Sequence, residues 1–139
     1  MGLKEQWNSL TPAEKAVIAS LGLKDPMKLE IIRLSKDKAF NETRSKFGNN
    51  GHNDDSDAFR HCFWSATLAR DLGYFWAKLF TDAHETKPSQ PPAEKEMDLH
   101  NNAVGLKIGF YYFSRDTDQV LSSKCFKALK NGELKVISP

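Results

Sequence analysis

Proline and glycine fall at intervals that cut this chain into helix-sized pieces, and little in between reads as strand. Thr11-Pro12-Ala13-Glu14 has the form of a capping box with proline at the first helical position, and Gly22 closes that short helix. Asp25-Pro26 opens the next helix, where Met27, Ile31, Leu34, Phe40 and Phe47 make an apolar stripe down to Gly48. The stretch GNNGHNDDSD, residues 48–57, holds too much Gly, Asn and Asp for a helix and forms a loop. It ends in Asp54, Asp55 and Ser56, acceptors suited to capping a helix that begins near Asp57 and breaks at Gly73. A second aromatic helix runs from Tyr74 to about Glu85, and KPSQPP, residues 87–92, stops it and leads to Pro92. Residues 93–113 are periodic again, with Gly105 and Gly109 four apart so that another backbone can approach closely. Asp116-Thr117 caps a last helix ending at Asn131-Gly132, after which Leu134 and Val136 alternate as one short strand would.

The expected fold is therefore all-α, a single domain over residues 1–139 with about six helices. Residues 1–48 are helical scaffold, 49–109 a site-bearing core, and 110–139 a C-terminal helix and tail. Leu, Ile, Val and Phe make up 32 of the 139 residues, enough for a modest core rich in aromatics. No apolar run approaches the roughly 20 residues of a membrane span, and the start MGLKEQWNSL lacks the apolar region of a secretory signal. The expected location is cytoplasmic, or outside the cell by a dedicated export system. Cys62 and Cys125 form no CxxC; a buried free Cys62 and a single bridge between the two both remain open.

Charge separates by region. Residues 1–47 carry nine basic against six acidic groups, residues 48–105 five against nine, and residues 106–139 six against three. All four histidines, His52, His61, His84 and His100, fall in the acidic middle. That combination suits a cation or acid–base chemistry better than a phosphate-backbone groove, so nucleic acid is the less favoured partner.

Three helical segments carry polar groups that packing does not require. Asp57 and His61 are four apart on one helix face with Ser65, and Arg60 stands beside them. Asp82-Ala83-His84-Glu85 crowds ionisable groups at a helix C-terminus, where carboxylates oppose the dipole. Asp98-Leu99-His100-Asn101-Asn102 places two amides, poor helix formers, in mid-helix, as if they hydrogen-bond something. Imidazoles and carboxylates drawn from neighbouring helices are how helical bundles build metal sites. Candidate ligands are His61, Asp82, His84, Asp98 and His100, for a divalent ion such as zinc, manganese or calcium. Without metal, a histidine held by a carboxylate can act as general base. The competing reading makes Asp57 a helix cap, His61 a satisfied half-buried histidine and His52 an exposed loop residue. The aromatics are most simply core, with a membrane-facing patch as the sharper alternative.

The blocks Asp57-Ala58-Phe59-Arg60-His61 with Trp64, Thr81-Asp82-Ala83-His84-Glu85, and Met97-Asp98-Leu99-His100-Asn101-Asn102-Ala103-Val104-Gly105 resemble an uncharacterised bacterial domain family. Such domains occur at the C-terminal ends of Rhs-type and other polymorphic toxins and as small stand-alone proteins. The likeness covers roughly residues 49–109 and implies a delivered effector with enzymatic activity. The block order is also similar to helical HD-type phosphohydrolases, although His84-Glu85 stands where those have His-Asp.

The resulting expectation is a small hydrolase of a phosphoester or phospholipid. His61 would be general base or ligand, His84 and Glu85 ligands or an acid/base pair, and Asp98 an orienting or ligating group. Asn101 and Asn102 would bind substrate or stabilise developing negative charge, and Arg60 would hold an anionic group. An immunity or inhibitor protein and a membrane surface or lipid are the expected partners. A non-catalytic metal- or partner-binding module is the alternative, followed by a peptidoglycan-cleaving or nuclease toxin domain.

Overall fold

The computed structural model describes residues 3–22, 25–110 and 115–138. It is all-α, with seven helices among the described residues: α1 (Leu3–Asn8), α2 (Pro12–Gly22), α3 (Pro26–Phe47), α4 (Asp55–Leu72), α5 (Tyr74–His84), α6 (Pro92–Gly109) and α7 (Asp118–Lys130). The six expected helices are present and α1 is additional. Its six residues are too short to announce themselves by periodicity.

The capping box at the start of α2 forms as its residues require. Thr11 N donates to Glu14 Oε1 (2.9 Å) and Glu14 N to Thr11 Oγ1 (3.0 Å). Asp25 caps α3 by accepting from Met27 N, and Thr117 caps α7 by accepting from Val120 N. At α4 the cap is Asp54, whose Oδ1 accepts from Asp57 N (3.0 Å), so the helix starts two residues before the expected point. Asp57 is thereby released from capping.

Helix α4 is the axis of the molecule. It packs against α3, α5, α6 and α7 and is buried almost all round, with Phe59, Phe63 and Leu68 fully enclosed. Each such side chain removed from water contributes on the order of 2 kcal/mol. Phe59 stacks on Phe63 at 5.8 Å and also meets Phe47 of α3 at 5.4 Å. The closest helix pair is α4 with α6. A Cβ built on Gly105 would lie 2.1 Å from the Cys62 carbonyl oxygen, and one on Gly109 2.0 Å from that of Ala66. Only glycine at both points lets these backbones touch.

Helix α6 ends at Gly109, short of the expected 113, and Tyr111, Tyr112 and Phe113 lie outside the described residues. The expected C-terminal strand is not formed among the described residues. Leu134 is buried, and the main chain around it is fastened by the Asn101 side chain and the Asn53 carbonyl instead of by a neighbouring strand. Asn101 Nδ2 donates to Lys135 O (2.9 Å) and Lys135 N donates to Asn101 Oδ1 (2.8 Å), while Ile137 N and Ser138 N both donate to Asn53 O. Cys62 and Cys125 are free and buried, and their mutual contact together with burial holds the Cys62 thiol well above its ordinary pKa. No described helix is long and apolar enough to cross a membrane.

Candidate functional site

Helix geometry selects which of the polar side chains can meet. On α4, Asp57 and His61 are one turn apart and face the same way; on α6, Asp98 and Asn102 do likewise, and that stripe continues into Gly105 and Gly109 against α4. The close crossing at those glycines brings Asp98 up to His61. The C-terminal end of α5 delivers His84, and Glu85 caps it.

His61 lies between two carboxylates. Its Nδ1 is 3.6 Å from Asp57 Oδ1 and its Nε2 is 3.6 Å from Asp98 Oδ1. Both distances exceed a good hydrogen bond. His61 Nδ1 and Asp98 Oδ1 are buried and have no hydrogen-bond partner among the described residues. Asp57 is held in place, since its Oδ2 accepts from Asn53 N (2.7 Å) and its Oδ1 from Arg60 Nη2 (2.6 Å).

His84 Nδ1 is 3.0 Å from Glu14 Oε2. An ionised carboxylate only accepts, so Nδ1 donates in this contact, and in the neutral imidazole that tautomer leaves the Nε2 lone pair for a ligand. Burial alone would raise the Glu14 pKa, but the hydrogen bond and charge of His84, with Thr11 N, outweigh it and hold Glu14 below the ordinary carboxylate value. Trp64 packs edge-on against His84 with ring centroids 5.0 Å apart, and its Nε1 donates to Ser35 Oγ.

Glu85 is only 1% exposed. Its Oε2 accepts from Asn102 Nδ2 (3.0 Å) and its Oε1 from Gln90 Nε2 (3.2 Å). Gln90 Nε2 also donates to Asp98 Oδ2 (2.9 Å), and Ser65 Oγ donates to Asn102 Oδ1 (3.2 Å). One donor atom each from His61, His84 and Glu85 falls within 4.8 Å of the others, and the same holds for Asp57, His61 and Asp98. The two groupings share His61.

Burial and the negative charges of Glu85 and Asp57 push Asp98 up to about 8. Burial, opposed by Asp57 and reinforced by His84, pushes His61 down to about 3 and keeps the imidazole uncharged. The cluster opens on a cleft of about 400 Å³ whose wall includes Lys36, Phe40, Arg60 and Lys87. Arg60 lies over the Phe40 ring at 4.7 Å and spends its donors on Asp57, Asn50 Oδ1 and Gly51 O, tying the 50–57 loop to α4.

The structure thus gathers His61, His84, Glu85 and Asp98. It does not gather Asp82 or His100. Each is two residues from a clustered side chain on the same helix, about 200° around the axis, which turns it outward. Asp82 pairs with Lys78 Nζ (2.7 Å), and His100 Nε2 contacts Glu133 O (2.8 Å). Asn101 fastens the C-terminal segment and faces no cleft, whereas Asn102 positions Glu85. His52 is 74% exposed in its side chain and reaches Glu94 Oε1 at the cleft's edge. Glu14 and Gln90 also belong to the site, although in the sequence the first reads only as part of a capping box and the second as part of a proline-rich spacer.

The fold and the cluster define an all-α domain with a buried imidazole–carboxylate centre beside an open, cation-lined cleft. The chain belongs to the family described as a domain of unknown function (DUF6973), whose model matches residues 19–133 and so takes in all three polar blocks. No solved structure matches the chain.

Proposed function

We propose that this domain is a metal-dependent hydrolase of phosphoesters, with His61, His84 and Glu85 as the ion's ligands and Asp98 beside them. The observation that carries this is a set of two imidazoles and a carboxylate whose ligand atoms lie within 4.8 Å of one another, beside the buried, unpartnered Asp98 Oδ1. Buried polar atoms are rarely left unpaired without a function, and a cation here would supply the missing partner. Two imidazoles favour zinc or manganese over calcium, which prefers six to eight oxygens. Glu14 on His84 and Asp57 beside His61 are the outer carboxylates that orient ligating imidazoles in metal sites.

A divalent ion here would supply Lewis acidity toward a phosphoryl oxygen and a water. Lys36, Arg60 and Lys87 on the cleft wall suit an anionic substrate. Trp64 and Phe40 keep the inner wall apolar and strengthen those charges. Hydrolysis adds water to phosphorus, breaks one P–O ester bond and releases the leaving oxygen as an alcohol. The glycosidase alternative is weakened by Glu85, which is buried and does not line the cleft. Resemblance to toxin-tip domains extends the proposal to a delivered effector, with a cognate inhibitor protein covering the cleft.

The test is the whole chain loaded with zinc or manganese and assayed on bis-p-nitrophenyl phosphate. Turnover should fall at least about 100-fold in His61→Ala and His84→Ala. Zinc at 100 times its Kd should add about 2.7 kcal/mol of stability to the wild type and much less to His84→Ala. Zinc binding without turnover would leave a metal-binding module, and no binding at all would end the metal reading.

A further inference from the structure

A second cavity, of about 480 Å³, adjoins the cleft through a shared wall of Lys36, Phe40, Trp64 and His84. Trp7, Leu10, Ile18, Leu29, Ile32 and Phe80 make the larger, apolar part of its wall, and polar side chains such as Gln6, Arg33 and Asp37 complete it. Glu14, which orients His84, also borders it. The polar centre and the apolar hollow therefore lie on two sides of the same histidine and tryptophan. The hollow falls within the size range of small-molecule sites, and its apolar side chains offer a hydrocarbon chain contact.

We propose that the substrate is an amphiphilic phosphodiester whose phosphate sits in the cleft and whose alkyl chain fills the adjoining cavity. This deepens the phosphoester reading and rests on it. The arrangement of parts is the argument. Lys36 stands on the shared wall, where the anionic phosphate would give way to the chain, and Trp64 separates the chain from His61. A substrate with no chain leaves the apolar walls unused and gains nothing from them. In the reaction water adds to phosphorus, one P–O bond breaks, its oxygen leaves with a proton as an alcohol, and a phosphomonoester remains.

The experiment compares p-nitrophenyl methyl, butyl and octyl phosphodiesters as substrates of the zinc- or manganese-loaded chain. Burial of each methylene should raise kcat/KM about four-fold until the cavity is filled. Ile18→Trp, which occupies the hollow, should bring the octyl-to-methyl ratio toward one, and Leu29→Phe serves where the first variant does not fold. Binding is read separately by quenching of tryptophan fluorescence with octyl phosphate against inorganic phosphate, since Trp7 and Trp64 line the cavity. Turnover indifferent to chain length overturns the amphiphile assignment and leaves the phosphoesterase intact. Absence of turnover on every ester, with no metal-dependent activity, overturns the phosphoesterase and the assignment with it. A lysophospholipid and an isoprenyl phosphodiester, run in parallel, identify which source of the chain the cavity accepts.

Discussion

Glu14 meets two demands with its two carboxylate oxygens: Oε1 closes the capping box of α2, and Oε2 holds His84 Nδ1. Substituting glutamine separates the two. A capping box tolerates Gln, so Glu14→Gln should cost under about 1 kcal/mol of helix stability. At His84 the change is larger in kind, because an amide NH₂ can donate to Nδ1. The imidazole proton then moves to Nε2 and removes the lone pair proposed to bind metal. Outer-shell losses of this sort lower metal affinity by about 10- to 100-fold. Zinc calorimetry on Glu14→Gln should show that drop with a melting temperature close to wild type. Unchanged affinity would make Glu14 a cap and nothing more.

Helices α4 and α6 meet with no room between them at Gly105, where a Cβ would overlap the Cys62 carbonyl. Gly105→Ala must push the helices apart, since the obstacle is backbone and cannot rotate away. Overpacking of this kind costs about 1–3 kcal/mol, which in a chain of this size is a fall of several degrees in melting temperature. The separation also moves Asp98, two turns along α6, away from His61, so zinc affinity should fall with stability. Gly105→Ala melting at the wild-type temperature would show the crossing to be looser than drawn. The same two helices mark what the sequence made legible. Caps and breakers located α2 to α7, and the glycine pair foretold a close backbone approach. The i, i+4 spacing of Asp57 and His61 named the face of α4 that matters. The i, i+2 spacings of Asp82 with His84 and of His100 with Asp98 carried the opposite message, that these pairs point apart. Glu14 was hidden because a capping box already accounts for a glutamate at its position. Gln90 was hidden in a spacer that no periodicity describes. The tail read as strand because Leu134 and Val136 alternate, but its partners are the side chain of Asn101 and the carbonyl of Asn53, contacts that sequence spacing does not encode.

Across the whole molecule, the metal-site end of α4 and its far end do separate work. Arg70 lies nine residues beyond His61, about 14 Å along the helix, and its guanidinium gathers the C-terminal parts of the fold. It donates to Asp71 from Nε and Nη2 (2.8 Å each) and to Asp116 O (3.0 Å), and its Nη2 is 2.7 Å from Asp118 at the start of α7. Lys38 of α3 reaches Asp118 (3.1 Å), and Arg115 reaches Asp71. Burial alone would raise both carboxylates, but Arg70 and its companions outweigh it, and Asp71 and Asp118 are held below their ordinary 3.8. The sign of the stability change follows. Above about pH 5 both groups are ionised folded and unfolded, and their contribution is fully present. As pH falls further, the unfolded chain takes up protons before the folded one, and that contribution drains away until the folded values are passed. Asp71→Asn combined with Asp118→Asn should therefore be less stable than wild type at pH 7 and lose stability less steeply below about pH 4. Zinc affinity should not change, because sites this far apart with no shared partners behave additively. Urea melts at stepped pH, with zinc calorimetry at neutral pH, measure both. A double variant that keeps the full acid slope would remove the Arg70 cluster from the acid response, and one that loses zinc would show the two ends of α4 to be mechanically joined.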